Sequence, residues 1–188
     1  MRRKVQPEIL EAAIKLFGLY GFRGVTTRDL AKEAEVVEGS IYMWFKSKEL
    51  LYMQALTSVV AQVNQEFTRF VIATVGKSEE FDPKRLHDAL RTWYLSISQP
   101  AARLLMQVLI GDGKLNKTAR EPLDQIINVI AGQLDRQKKG NRKFNSQAAA
   151  RTLVRALIWG KVIHVNAGAA EKDMNEILQQ WLLAVEAR

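Results

Sequence analysis

Apolar residues recur three and four positions apart along almost the whole of this chain, and no alternating run of useful strand length interrupts them. That spacing stacks apolar side chains on one face of a 3.6-residue helix. With only four Pro in 188 residues, it predicts an all-α fold. Pro7 suits the first turn of a helix. Ile9, Leu10, Ala13, Ile14 and Phe17 share one face of it, and Gly21 and Gly24 end it. Thr26 and Thr27 can cap a short helix over 28–35, and a third runs over 38–45. Ser47 can cap a long fourth helix, with Glu49 in its first turn, where negative charge suits the helix dipole. Its stripe of Leu56, Val59, Val60, Val63, Phe67, Phe70 and Val71 reaches about position 75. Pro83 and Pro100 open two more helices, and 111–116 reads as a turn. Leu123, Ile126, Ile127, Ile130 and Leu134 mark a seventh. Positions 136–143 form a basic loop, and final helices occupy 146–167 and 171–187. About nine helices result: three short ones, a long one, then a larger helical body.

Composition removes several classes of chemistry. There is no Cys, and the two His, His87 and His164, lie far apart. Disulfides, thiolate zinc, iron–sulfur clusters and a Cys nucleophile are excluded, and no metal or cofactor is expected. No nucleophile elbow, Gly-rich phosphate loop or HExxH stands in the chain, so it reads as a non-enzyme. No run of about 18 apolar residues is present to cross a membrane. Glu8 and Glu11 break the stretch after the first cations, which argues against a signal peptide and for a cytoplasmic protein. The formal net charge of +8 suits a polyanion partner. The first fifty residues hold nine Lys or Arg against seven Asp or Glu, so most of the excess lies in the body. Arg2, Arg3 and Lys4 form a basic arm that suits DNA backbone or minor-groove contact, or is simply solvated.

Two short helices joined by a tight turn, with a third helix behind them, have the shape of a helix-turn-helix module. Its second helix enters the major groove and its first braces it. Here the brace is 28–35 and the reader 38–45. Thr27 and Ser40 can bond phosphates, Gly39 admits a close backbone, and Tyr42 can donate to phosphate. Lys46 and Lys48 lie where the reader exits, and Arg28 can take a guanine edge or a phosphate. The stretch from Ile9 to Leu56 resembles the N-terminal domain of the TetR family of bacterial transcription regulators. The resemblance rests on Ala12-Ala13, Leu16-Phe17, Gly21, Thr26-Thr27-Arg28-Asp29-Leu30-Ala31, Gly39-Ser40-Ile41-Tyr42, Phe45 and Lys48-Glu49-Leu50-Leu51. It covers the first quarter of the chain. It implies an all-helical homodimer with a DNA-binding domain over 1–47 and a ligand-binding and dimerisation domain over 48–188. The expected partners are double-stranded DNA bearing an inverted repeat, a second copy of the chain, and a small-molecule inducer that releases DNA. Membranes are not expected as partners. A DNA-binding protein answering to a protein partner, or an activator, are the alternatives to a ligand-released repressor.

Three departures from the family pattern stand out. Glu35 occupies the turn position usually held by Gly. Val37 opens the reader where Ser or Thr is usual, and Val cannot cap. Met43 and Trp44 replace a common Tyr-His pair, placing apolar side chains where thymine methyls or sugars would lie.

In the body, the last two helices carry apolar residues on more than one side. Leu153 and Leu157 form one row of the eighth, Val154 and Ile158 another. Ile177, Trp181, Leu182 and Val185 line the ninth. Two stripes imply burial against the chain's own body and against something else: a second copy, as an antiparallel four-helix interface, or the interior of a monomer. Phe67, Phe70, Phe81, Trp93, Tyr94, Met106 and Trp159 offer the soft surface of a ligand pocket, or plain core.

Overall fold

The structure is a computed structural model that describes residues 5–72, 82–110, 114–137, 145–163 and 167–186. Among these residues there are nine α-helices and no strand: α1 Val5–Tyr20, α2 Thr27–Glu33, α3 Glu38–Trp44, α4 Lys48–Phe67, α5 Pro83–Ser96, α6 Gln99–Ile110, α7 Lys114–Gln137, α8 Ser146–Ile163 and α9 Ala167–Glu186. A π-helical segment, Thr68–Ile72, prolongs α4. Among the described residues no helix is long and apolar enough to cross a membrane. None of their acidic and His side chains gather into a group of three or more that could hold a metal. Arg2, Arg3, Lys4, Phe81, His164 and the side chains of the 136–143 loop lie outside the described residues, as do the side chains of Trp181, Leu182 and Val185.

Local chemistry sets the helix ends. Gly21 takes φ 71° just past α1, where a left-handed residue closes the helix, and its amide bonds Phe17 O at 2.9 Å. Ser47 caps α4 by accepting from Leu50 N, and Asp82 caps α5 by accepting from Lys84 N and Arg85 N. The structure differs from the sequence expectation at two joints. Positions 114–116 are helical rather than a turn, because no breaker stands between the glycine at 113 and the helix beyond it. Helix α9 begins at Ala167, not 171, because Ala-Gly-Ala-Ala is rich in the strongest helix former.

The core runs continuously from head to body. Phe17, Leu30 and Ile41 fill the head, and Trp93 and Phe67 anchor the body. The Trp93 indole donates to Val63 O at 3.0 Å and meets the Phe67 ring edge-on at 5.3 Å. The head is welded to the body along α1. A Cβ on Gly18 would stand 2.5 Å from Pro100 O, so α1 and α6 touch backbone to backbone. Nearby, Tyr52 of α4 donates to Gln107 of α6 at 2.7 Å, and the Gln107 amide donates to Phe17 O at 3.2 Å. The Tyr52 ring packs edge-on against Phe17 at 5.2 Å.

Candidate nucleic-acid interface

Helix α2 begins with a reciprocal cap. The Thr26 hydroxyl accepts from Asp29 N, while the Asp29 carboxylate accepts from the Thr26 amide at 2.9 Å and its hydroxyl at 2.6 Å. Those bonds, the hydroxyl's first, hold the Asp29 carboxyl below its ordinary range. Exposed Lys15 of α1 pairs with Glu33 at the far end of α2. The turn into α3 passes through Glu35 at φ 53°, a left-handed conformation that glycine adopts freely and other residues at a cost. The Val36 amide then bonds Ala31 O at 2.9 Å. Glu35 thus fills the same backbone role as the family's usual Gly.

Val37 opens α3 without a side-chain cap. Ile41 is fully buried and Phe45 nearly so, which pins the inward face of α3 on the head core. The opposite face turns out: Val37 and Met43 are each 75% exposed, Tyr42 53% and Trp44 48%. Gly39 is exposed, and a Cβ there would meet nothing. A chain of hydroxyls ties the two helices. Tyr42 OH donates to Thr27 Oγ1 at 3.3 Å, and Thr27 donates to Glu38 Oε1 at 2.6 Å. Ser40 is half-buried, and Arg28 and Lys46 are exposed. An open groove of about 470 Å³ lies between α2, the end of α3 and the start of α4, lined in part by Arg23, Thr27, Tyr42, Lys46 and Ser47.

Two features depart from the sequence reading. Lys48 lines that groove but is no free cation: its Nζ donates to Phe22 O at 3.1 Å and Val25 O at 2.9 Å, and lies 4.3 Å from the centre of the Phe22 ring. It fastens the start of α4 to the α1–α2 turn. Arg23, which the sequence reading passed over, stands exposed on the same groove. Its only sequence signal is a cation in the turn just before the capping threonines.

The body also rearranges the expected sites. Leu153, Val154, Leu157 and Ile158, expected at a dimer interface, are buried in the chain's own core, and Ile177 is half-buried. Both apolar rows of α8 face neighbouring helices of the same chain. Thr152, Arg155, Ala156 and Trp159 of α8, with Met106, Leu109 and Ile110 of α6, line a mostly apolar groove of about 580 Å³ on the outside. Of the seven residues expected to line a ligand pocket, the six among the described residues do not share one. Phe67, Trp93 and Tyr94 are packed into the core, Phe70 is half-buried beside them, and Met106 and Trp159 line the outer groove instead. Phe67 and Trp93 are in ring contact, so the space between them is already filled.

Residues 9–55 match the family model of bacterial regulatory proteins of the tetR family. Over 58 residues, 31% of the chain, it is 40% identical to an uncharacterized HTH-type transcriptional regulator, YhgD, of Bacillus subtilis (strain 168). Over 71 residues, 37% of the chain, it is 35% identical to a second, YuxN, of the same organism. The chain spans 30% and 23% of the length of those two relatives. In fold it is similar to the transcriptional regulator FadR from Bacillus subtilis, solved in complex with stearoyl-CoA. That likeness has a TM-score of 0.70 at 16% identity and covers 94% of this chain and 97% of that one. Residues 9–55 are thus similar to the bacterial regulatory proteins of the tetR family, and the all-helical architecture of the chain is similar in fold to that FadR structure.

Proposed function

We propose that the chain is a dimeric, operator-binding repressor, with residues 1–47 reading DNA and 48–188 forming the dimer and taking a small-molecule effector. The observation that carries this is the outward face of the head: Met43, Tyr42 and Trp44 stand exposed on α3 beside a groove edged by Arg23, Thr27 and Lys46. Phosphate contacts from Arg23, Arg28, Ser40 and Lys46 would position the head, with Gly39 admitting the backbone, and Thr27 and Tyr42 would join them by turning their hydroxyl protons from Glu38 and Thr27 to phosphate. Lys48 contributes its charge from the groove wall.

The dimer face is the α6–α8 groove with Trp159 and Ile110 at its centre, 51% and 66% exposed. A two-fold pairing would bury this surface and hold two readers about 34–36 Å apart, the spacing of successive major grooves. The effector would act on α4, which runs from the Lys48 clamp on the head to the π-helical turn Thr68–Ile72 in the body. π turns are frequent at functional sites. A ligand that binds the displaced form of α4 better than the DNA-bound form shifts the population away from DNA. FadR's complex with stearoyl-CoA supports an apolar, acyl-type effector for a body of this fold.

The test pairs light scattering with DNA binding. The wild type is expected to be a dimer that binds an inverted repeat with a steep salt dependence. Trp159→Glu should be a folded monomer with half-site affinity only. A Trp159→Glu dimer would refute the assigned face, and salt-dependent binding without sequence preference would refute the reader.

A further inference from the structure

The side chains that α3 offers to a groove are chemically narrow. Among Glu38–Trp44 there is no Lys, Arg, Asn or Gln, so the helix holds none of the side chains that grip guanine or adenine edges in a bidentate way. Its one charged group, Glu38, accepts the Thr27 hydroxyl at 2.6 Å and is half-buried against α2. Tyr42 is turned toward the same hydroxyl. What remains outward is apolar: Val37 and Met43, each three-quarters exposed, flanked by Trp44. They lie six positions apart, on the solvent side of a helix whose inward face is fixed by Ile41. Surface of this kind is costly to leave in water and has one complementary group in the major groove, the C5 methyl of thymine.

Resting on the reading of the head as a DNA reader, we propose that α3 recognises its operator half-site through thymine methyl groups, with Val37 and Met43 as the specificity-determining side chains. Bidentate hydrogen bonding to bases by α3 plays no part. The half-sites are therefore rich in T·A pairs placed where two methyls face the helix. Glu38 serves by holding Thr27.

The test removes the methyl from the DNA rather than the side chain from the protein, so folding is not at stake. The full-length protein selects duplexes from a random pool, and the enriched duplex is remade with deoxyuridine replacing thymidine one position at a time. Each contacted methyl should cost about fourfold in affinity when removed, while binding to nonspecific duplex stays unchanged. In Met43→Ala the penalty at one half-site position should vanish while penalties elsewhere persist, and Val37→Ala should remove a different one. If every deoxyuridine duplex binds within twofold of its thymidine parent, methyl recognition is wrong although the protein still reads sequence. If no sequence is enriched at all, the reading of the head as a specific DNA reader falls, and this inference with it.

Discussion

Two glycines inside helices, Gly18 and Gly132, should respond to the same substitution with opposite signs. In a helix interior, Ala is favoured over Gly by up to about 1 kcal/mol, because Gly loses more backbone freedom on folding. At Gly132, on α7, an added Cβ meets nothing within 4 Å, so Gly132→Ala should collect that gain of about 1 kcal/mol. At Gly18 the same Cβ would lie 2.5 Å from Pro100 O, 2.9 Å from Pro100 Cα and 3.0 Å from Pro100 C. These are backbone atoms on both sides, so no side chain can swing away and α1 must part from α6. Overpacking costs typically 1–3 kcal/mol, and a rigid contact belongs at the top of that range. After the helix gain, Gly18→Ala should be destabilised by about 2 kcal/mol. Urea unfolding monitored by circular dichroism measures both, and at 2–4 °C per kcal/mol for a chain of this size the melting temperatures should differ by roughly 6–12 °C. Equal shifts, or a stabilised Gly18→Ala, would refute the backbone contact between α1 and α6.

Two further outcomes concern groups whose partners are now placed. Lys48→Met should lower the melting temperature of the DNA-free protein, by an amount corresponding to about 1–3 kcal/mol, because it strips a charged donor from two carbonyls. An unchanged melting temperature with weakened DNA binding would instead make Lys48 a DNA contact alone. Tyr94 is pushed up to about 12 by burial first and by the negative charge of Asp173 second. Its folded value lies above the unfolded value near 10, so the stability it lends is complete below about pH 10 and lost as pH rises toward 12. Ultraviolet titration at 295 nm should show a late phenolate component that Tyr94→Phe removes, and a component ending by pH 11 would contradict it.

The helices were legible because each has a cause within a few residues: the Thr26–Asp29 reciprocal cap, Ser47 before α4, Gly21 after α1. So was the odd turn at Glu35, where the family pattern points to glycine and the structure shows φ 53°. What was not legible depends on partners far away in sequence. Lys48 reads as a spare cation until Phe22 O and Val25 O, more than twenty positions back, are seen to take its donors. Leu153 and Val154 read as two faces of a doubly apolar helix, but periodicity does not say whether the second neighbour is another chain or α6 and α7 of the same one. The aromatics failed as a pocket for a similar reason: Phe67 and Trp93 satisfy each other, and the indole N–H finds Val63 O.

The weld between α1 and α6 bears on how the two parts of this chain can be recombined. The first segment looks like an interchangeable cartridge, since its recognisable signature stops near position 55. Here the cartridge is keyed: Gly18 lies flush on Pro100, and Phe17 O is held by Gln107 through a side chain that also takes the Tyr52 hydroxyl. A foreign head with Ala at position 18, or a foreign body lacking the glutamine, would seat at a different tilt. Chimeras that graft a foreign first segment onto this body should therefore keep Gly18, Pro100 and Gln107 together.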